Sequence, residues 1–401
     1  ALYYNTTGAS NSALGQGALQ ANTTASNNTA VGYQAAYTGT TASGIAAFGY
    51  RSLYLNTANN NTAFGSDTLS ANTTGTQNTT IGKNALTSNI DGNYNSAVGL
   101  NALYSNTSGT SNTALGTYAL TSNTTASNNT AVGFQAGYIN TTGTGLVALG
   151  TYAMYSNTTG VHNVAVGRGS VYYNTTGNYN VGIGSEDATG YPALYRNTTG
   201  VSNVAVGAGA LGFNTTASNN TAVGYQAGYS NTTADGNVLI GISAGYGLTT
   251  GNLNTFVGAS CGVSMSTGTK NTIIGRYSGN QGGLDIRTAS NYIVLSDGDG
   301  NPYAHNNGGS TWSFSGAGTN ATIANFTNNS ASLPYGLYVN FSATSPNNTA
   351  NYFLQCVDTG GERLTVRSNG GIANYSGNNV NLSDRIGKTN FAPAKSYLNT
   401  I

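Results

Sequence analysis

Apolar residues recur along this chain at a nearly constant spacing, and each is followed directly by a glycine. The first such pairs are Leu14-Gly15 and Val31-Gly32, and sixteen copies continue to Ile274-Gly275. Thirteen of the fifteen intervals between these glycines are 17 residues, one is 16 and one is 23. One short period of this kind is typical of a solenoid, in which each repeat contacts its neighbours. The sequence therefore predicts a shaft with one coil per repeat.

Each repeat contains a short segment with the alternation of a β-strand. The residue before the glycine is always Leu, Val, Phe or Ile, and the residue two places earlier is small or β-branched, as at Thr62 and Val164. A period of two places these side chains on one face of a strand, and Gly, Asn and Thr disfavour a helix. We therefore expect one buried strand face. The glycine would end the strand with positive φ or in close contact with a neighbour.

Two further positions in the repeat are regular. A small residue and an apolar residue follow the glycine after three and four places, as in Ala18-Leu19, which predicts a second inward anchor. Four places before the glycine, asparagine occupies fourteen of sixteen copies, the exceptions being Ile45 and Leu146. Stacked coils would align these amides in a hydrogen-bonded ladder; the alternative is that they only form turns. The recurring Asn-Thr-Thr-Gly has turn composition.

A coil this thin offers few inward positions, and several of them are Ala, Gly or Thr. Such a coil buries too little apolar surface to fold alone. We therefore expect three parallel chains that share one axial core, with the residues of the Val31 type inside it. At about 4.8 Å per coil, sixteen coils would extend roughly 75 Å.

Composition limits the classes of partner. The chain has 401 residues, 57 glycines, 12 basic and 11 acidic side chains, and a net charge of +1. Nucleic acids and anionic membranes require clustered Lys and Arg, and no apolar run has transmembrane length, so neither kind of partner is expected. Two cysteines support neither a disulfide framework nor a cysteine metal site, and Cys261 is predicted to be a small buried filler.

The period divides the chain into three predicted parts. Residues 1–280 form the repeat shaft, with a six-residue insertion within Ser185–Tyr195 that should bulge as a loop. Residues 281–383 form an irregular, all-β distal domain, intertwined between chains. Residues 384–401 would begin a further domain, cut short. No histidine pair, recurrent acidic pair or cysteine cluster supports an enzyme, so we expect no cofactor and no metal site.

The C-terminal segment contains a chemical motif, Leu382-Ser383-Asp384-Arg385-Ile386-Gly387-Lys388. Together with Asn369-Gly370-Gly371-Ile372-Ala373-Asn374-Tyr375 and Lys388-Thr389-Asn390-Phe391, it resembles the junction of bacteriophage tail fibres and tailspikes that carry the autocleaving intramolecular chaperone of endosialidases. The resemblance implies that Ser383 is the nucleophile, Lys388 its base, and the bond before Asp384 the one cleaved once per chain. It departs from the family at Gly387, where a longer side chain is usual.

The repeats also resemble those of trimeric autotransporter adhesin heads. We therefore expect a homotrimeric tail fibre on the virion, which contacts other tail proteins and a glycan or outer-membrane receptor of the host. The alternative is a bacterial surface adhesin or matrix filament. An ice-binding solenoid agrees less well with the sequence. The threonines of an ice-binding face would lie on straight strands, whereas those of this chain recur in Asn-Thr-Thr turns. A polysaccharide-degrading enzyme lacks the recurrent acidic residues that its chemistry needs.

Overall fold

The computed structural model describes residues 1–186, 190–309 and 312–314, together with the backbone of three strands between residues 352 and 374. The chain divides into two compact units, Ala1–Ile323 and Ala324–Ile401. Strands and turns make up the described residues of both units, and these residues contain no helix. The predicted all-β class is confirmed.

Seventeen short strands of the first unit stack in parallel, one from each coil. Their bounds are β1 Ser12–Leu14, β2 Thr29–Val31, β3 Ala46–Phe48, β4 Thr62–Phe64, β5 Thr79–Ile81, β6 Ser96–Val98, β7 Thr113–Leu115, β8 Thr130–Val132, β9 Val147–Leu149, β10 Val164–Val166, β11 Val181–Ile183, β12 Val204–Val206, β13 Thr221–Val223, β14 Val238–Ile240, β15 Thr255–Val257, β16 Thr272–Ile274 and β19 Ile293–Ser296. Each strand pairs with the strand of the next coil, so that equivalent positions such as Val31 and Phe48 face each other. The predicted parallel solenoid of one coil per repeat is confirmed.

The interior of each coil is lined by the middle residue of the strand and by the pair that follows the glycine. Ala30 and Ala131 are fully buried, as are Ala18 and Leu19 of the pair. The second inward anchor is therefore confirmed. The strand residues on either side of the middle one point away from the coil, so the residues of the Val31 type do not line its interior. Alternation indicated a two-faced strand, but it could not tell which face one chain buries by itself.

Large and small residues exchange places in the later coils. In β14 and β15 the middle residue becomes Leu239 and Phe256, and the inward position after the glycine becomes Gly245 and Gly262. A Cβ atom at Gly262 would lie 2.6 Å from the ring of Phe256. The interior volume is thereby filled without overlap, as close packing requires. Cys261 is also fully buried, as predicted, and burial raises the pKa of its thiol to about 12.

Sharp corners give the coil its small cross-section. The glycine after each strand has positive φ, for example +138° at Gly32, and a Cβ there would lie 2.4 Å from the carbonyl oxygen of Gly49 in the next coil. Positive φ and close backbone contact, the two predicted reasons for glycine at this position, are therefore both confirmed. Other corners place ordinary residues in the left-handed region, such as Leu19 with φ 48° and Asn27 with φ 62°. Leu19 nevertheless keeps this conformation because its side chain is fully buried.

The predicted asparagine ladder is present and fully buried. Each side-chain oxygen accepts the backbone N–H of the equivalent residue in the next coil, as from Asn95 to Asn78 Oδ1 at 2.9 Å. The side-chain N–H₂ donates to a backbone carbonyl, as from Asn95 Nδ2 to Gly109 O at 2.9 Å. The ladder thus satisfies backbone groups inside the shaft that no water reaches. This is a structural role beyond turn formation.

A second asparagine ladder was not predicted. It consists of the first residue of each Asn-Thr-Thr corner, and neighbouring amides bond directly, as from Asn123 Nδ2 to Asn106 Oδ1 at 2.8 Å. The links run unbroken over eleven asparagines: Asn56, Asn72, Asn89, Asn106, Asn123, Asn140, Asn157, Asn174, Asn197, Asn214 and Asn231. The third coil has Gly39 at this position, and Asn22 Oδ1 is left buried without a partner.

The 23-residue interval leaves both ladders intact, and the second ladder also continues across the 16-residue interval. Across the 23-residue interval, β11 and β12 pair in register, and Asn197 Nδ2 donates to Asn174 Oδ1 at 2.8 Å. The coil is therefore continuous across the insertion, and residues 187–189 of the inserted segment are not among those described. Glu186 at its start forms an ion pair with Arg168 of the preceding coil.

The parallel ladder continues past residue 280 to β19. A short antiparallel hairpin, β17 Asn280–Gln281 with β18 Leu284–Asp285, comes before this last parallel strand. Two antiparallel strands then follow, β20 Pro302–Asn306 and β21 Trp312–Phe314. They extend the sheet from the edge of β19. In the second unit, β22 Tyr352–Asp358, β23 Gly361–Arg367 and β24 Ile372–Asn374 form an antiparallel sheet.

Candidate functional site

The residues implied in autocleavage, Ser383, Asp384 and Lys388, lie outside the described residues. The nearest described element is β24, which contains the Ile372-Ala373-Asn374 part of the motif. Within the described residues, no group of three or more His, Cys, Asp or Glu side chains could hold a metal ion. The same part of the chain has no helix with the length and apolarity to cross a membrane.

A long uncharged face is the first surface of interest. It is formed by the two outward residues of each strand from β1 to β16 and of β19, and we call it the apolar strip. Its principal members are the residues before the glycines, of which Leu14, Ile81 and Leu115 are 69%, 46% and 48% exposed. None of these sixteen residues, nor the equivalent Leu295 of β19, is buried in the single chain, and no charged residue occurs at either outward position. Parallel sheets are usually covered on both faces, whereas this face is open to water in the single chain.

The dimensions of the apolar strip are those of a protein interface. Seventeen strands at the spacing of a β-sheet extend about 80 Å, and a three-residue strand is about 10 Å wide. The strip therefore covers about 800 Å², the area that each partner contributes to a standard stable interface. Ser or Thr occupies the first outward position in ten of these strands, and the residues before the glycines form an unbroken apolar column beside them. Exposed apolar columns of this length are rare on proteins that remain monomeric.

Stacked tyrosine rings form the second surface of interest. They occupy the position two residues before the asparagine of the second ladder, and the rings of Tyr138 and Tyr155 are 5.2 Å apart at an angle of 13°. Tyr155 and Tyr172 are 5.0 Å apart at 9°. In these parallel stacks each ring covers the face of the next. Burial and the neighbouring phenols raise the pKa of Tyr172.

The stack changes geometry beside the inserted loop. The next rung is Tyr195, whose ring is tilted by 44° from that of Tyr172 at 5.6 Å and stands at 70° to the adjacent Tyr173 at 5.1 Å. The following rung is Gly212, which has no ring. Tyr191 of the loop contacts Tyr195 on one side at 5.5 Å and Tyr229 on the other at 5.8 Å, with angles of 77° and 86°. The loop thus supplies the aromatic ring that the coil lacks.

An open groove of about 720 Å³ lies beside these rings. We call it the aromatic groove, and its lining consists of Ser156, Tyr173, Thr175, Gly190, Tyr191, Tyr195, Arg196, Thr198 and Thr215. Arg196 is exposed, and its guanidinium carbon lies 4.2 Å from the ring centre of Phe213 and 5.5 Å from that of Tyr191. Its Nη2 donates to Tyr191 Oη at 3.2 Å. Aromatic contacts therefore hold the cation at the groove.

The threonines of the groove come from successive coils. Thr175 Oγ1 donates to Thr198 O at 3.1 Å, and Thr198 Oγ1 donates to Thr215 O at 3.0 Å. Each hydroxyl proton is thereby used within the shaft, and the oxygen lone pairs remain available as acceptors. Burial, followed by a hydrogen bond with Tyr173, raises the pKa of Tyr195 to about 12, so this phenol is neutral at physiological pH.

The aromatic groove was not predicted from the sequence, because its rings are distant along the chain and come from both the repeat coils and the inserted segment. Tyrosine at the same repeat position in several coils was the available signal. Comparison with family models, curated proteins and solved structures gives no match to this chain. The features that bear on function are therefore the apolar strip, the aromatic groove and the motif around Ser383.

Proposed function

We propose that the chain forms the shaft of a homotrimeric tail fibre or tailspike of a bacteriophage, which attaches the virion to the host surface. The observation that carries the proposal is the apolar strip, which a solitary chain would leave in water along the whole shaft. A second support is the resemblance of the segment around Ser383 to the junction of the autocleaving chaperone. The resemblance of the repeats to trimeric adhesin heads also favours three copies.

Three parallel chains would bury the strip around a common axis. A threefold rotation keeps equivalent coils at the same height, so the ring of contacts closes and repeats in every coil. The absence of charge at the outward strand positions removes the desolvation penalty of such a core. The proposed partners are thus two further copies of this chain, together with other tail proteins and a glycan or outer-membrane component of the host. The proposed location is the virion tail, outside the cell.

Charges in the apolar strip are expected to abolish the trimer. In the double variant Leu115→Lys/Val132→Lys, six lysines of a trimer would meet at the axis without partners. An uncompensated buried charge costs about 3–5 kcal/mol, which exceeds what the contacts of these two coils can offset. Native mass spectrometry should show a trimer for the parent chain and no trimer for the variant, whose β-solenoid signal in circular dichroism should weaken because a single chain buries little apolar surface.

The matched control places the same two charges on a different face. Ser108 and Thr142 are exposed at the Asn-Thr-Thr corners of nearby coils, and their side chains make no hydrogen bond among the described residues. Ser108→Lys/Thr142→Lys should leave the trimer mass unchanged. A parent chain that is monomeric and folded in solution, with its apolar strip in water, would refute the proposed assembly.

Autocleavage provides a separate test. We expect the complete gene product to lose a C-terminal piece that begins at Asp384, because the resemblance assigns Ser383 as the nucleophile and Lys388 as its base. Ser383→Ala should leave the chain uncut, and Lys388→Ala should slow cleavage by at least about a hundredfold, as general-base removal does. Intact mass and N-terminal sequencing of the released piece measure both. An uncut parent chain would remove the chaperone from the proposal.

A bacterial trimeric surface adhesin or matrix filament is the second candidate. The apolar strip supports this candidate equally, because the strip favours association of several chains whether the fibre belongs to a virion or to a bacterial surface. Genes for baseplate or capsid proteins beside this gene would favour the tail fibre. An export signal and an outer-membrane anchor in the complete gene product would favour the adhesin.

A further inference from the structure

We propose that the aromatic groove binds an acidic oligosaccharide, through Arg196 and the rings of Tyr173, Tyr191 and Tyr195. This inference rests on the proposed function, because it names the site and the chemical class of the surface receptor. The groove is formed at the 23-residue repeat, where the loop brings Gly190 and Tyr191 against the coils.

Ring orientation favours a sugar. From Tyr138 to Tyr172 the rings of successive rungs are stacked in parallel and cover one another. Beside the groove Tyr195 is tilted by 44° from Tyr172, and it stands at 70° to Tyr173 and 77° to Tyr191. Perpendicular rings expose part of their faces, and Tyr173 is 44% exposed. Sugar rings present one apolar face of C–H groups, which packs on aromatic faces. The groove offers such faces at three rings within one contiguous surface.

Arg196 indicates that the sugar carries a carboxylate. The two ion pairs formed among the described residues involve Arg168 and Arg287, and neither involves Arg196. Its contacts with Phe213 and Tyr191 orient the guanidinium but do not neutralise its charge. A guanidinium presents five donors in a planar fork that matches a carboxylate. Among the described residues, the groove therefore has an exposed, positioned cation without an ion-pair partner, whose counter-charge a ligand would supply.

The threonine row supplies hydrogen-bond acceptors. Thr175 and Thr198 donate their protons to carbonyls of adjacent coils, so their oxygens accept from a ligand. Sugar hydroxyls are abundant donors and match this requirement better than the acceptor-rich phosphates of a nucleic acid. The volume of about 720 Å³ lies within the usual range for ligand sites of about 300–1,000 Å³. The exposed tyrosine faces, the Arg196 cation and the threonine acceptors together favour an acidic oligosaccharide over a peptide or a lipid.

Binding is tested with the full chain and paired carbohydrate probes. Immobilised oligosaccharides that contain sialic acid, glucuronic acid or galacturonic acid are compared with the same compounds after reduction of the carboxyl group to an alcohol. Biolayer interferometry should show that at least one acidic member binds about tenfold or more tightly than its reduced form, since a charge-assisted pair is lost. Arg196→Gln should weaken binding of the acidic member to a similar extent and leave the reduced form unaffected.

Two variants separate the site from general effects. Tyr173→Ala should weaken binding of both the acidic and the reduced form, because it removes an aromatic face and leaves the cation. Arg51→Gln is the matched control, since Arg51 also lies over a tyrosine ring, 4.6 Å from the centre of Tyr54, far from the groove along the chain. This control should bind as the parent does.

The outcomes are distinguishable from those of the proposed function. Native mass spectrometry of the same samples reports the trimer independently of binding. A trimer that binds none of the acidic probes, binds their reduced forms equally well, or is unaffected by Arg196→Gln and Tyr173→Ala would overturn the assigned site and leave the shaft proposal standing. A monomer that binds the acidic probe through Arg196 would retain the site and overturn the trimer.

Discussion

Gly116→Ala is expected to prevent folding of the shaft, or to lower its free energy of unfolding by more than about 4 kcal/mol. Gly116 follows β7 with φ +142°, and a Cβ there would lie 2.4 Å from the carbonyl oxygen of Gly133 and 2.7 Å from its carbonyl carbon. Both atoms are backbone, and Gly133 N–H is itself bonded to Leu115 O at 2.8 Å. The neighbouring coil therefore cannot move aside without breaking the parallel ladder.

Two control glycines separate the cost of the left-handed backbone from the cost of contact with the next coil. Gly283 has φ +81° and open space around its Cβ position, so Gly283→Ala should cost only the left-handed conformation, about 1–2 kcal/mol. Gly298 has neither a positive φ nor a neighbour within 4 Å, and Gly298→Ala should change stability by less than about 0.5 kcal/mol. Guanidinium unfolding followed by circular dichroism measures all three. Equal losses for Gly116→Ala and Gly283→Ala would show that the coils are not in close contact there.

Asn129→Asp is expected to produce the second large loss. Asn129 is fully buried in the first asparagine ladder, and its Nδ2 donates to Gly143 O at 3.0 Å and Asn123 Oδ1 at 3.3 Å. A carboxylate has the same shape but no donor, so it would face two acceptors in a site without water. Loss of such buried bonds together with an unpaired buried charge costs on the order of 3–5 kcal/mol. Thermal and chemical unfolding at pH 7 measure this loss.

The adjacent residue provides the control. Asn128 is exposed, and Asn128→Asp changes the net charge by the same amount at the next position of the chain. It should alter the free energy of unfolding by less than about 0.5 kcal/mol. Similar losses in the two variants would mean that charge, and not burial in the ladder, destabilises the shaft.

Low pH should reduce the loss of stability caused by Asn129→Asp. Burial without a donor raises the pKa of the new carboxyl in the folded state above its unfolded value of about 3.9. The folded protein then binds the proton more strongly than the unfolded chain, so stability rises as pH falls from the raised pKa towards about 3.9. The unfolding midpoint of the variant should approach that of the parent chain below this pH. A constant difference between pH 7 and pH 3.5 would contradict the buried carboxylate.

The period was sufficient to predict the solenoid, because a strand of each coil must pair with the equivalent strand of the next. Gly32 and Asn28 were informative for the same reason, since a backbone contact or an amide rung has to recur at fixed spacing. The direction of the strand faces was not predictable from alternation. Ala30 carries little hydrophobic signal beside Val31, yet Ala30 fills the interior and Val31 lies on the outer face.

The second ladder was missed because Asn-Thr-Thr has the composition of an ordinary turn. Asn106 differs from a turn asparagine only in its neighbours, Asn89 and Asn123, which the coil brings into line. The aromatic groove was missed for a related reason. Tyr191 and Arg196 come together with Phe213 of the next coil, a contact that depends on how the loop lies on the shaft.

The inserted loop leaves the coil beneath it unchanged. The rung from Asn174 to Asn197 has the same 2.8 Å length as the rungs on either side, although 23 residues separate its two asparagines instead of 17. The free energy of the shaft is therefore nearly independent of what the loop contains. Under the proposed function, substitutions or insertions at this corner would change the receptor that is bound while both ladders stay intact, so that binding specificity could evolve one corner at a time.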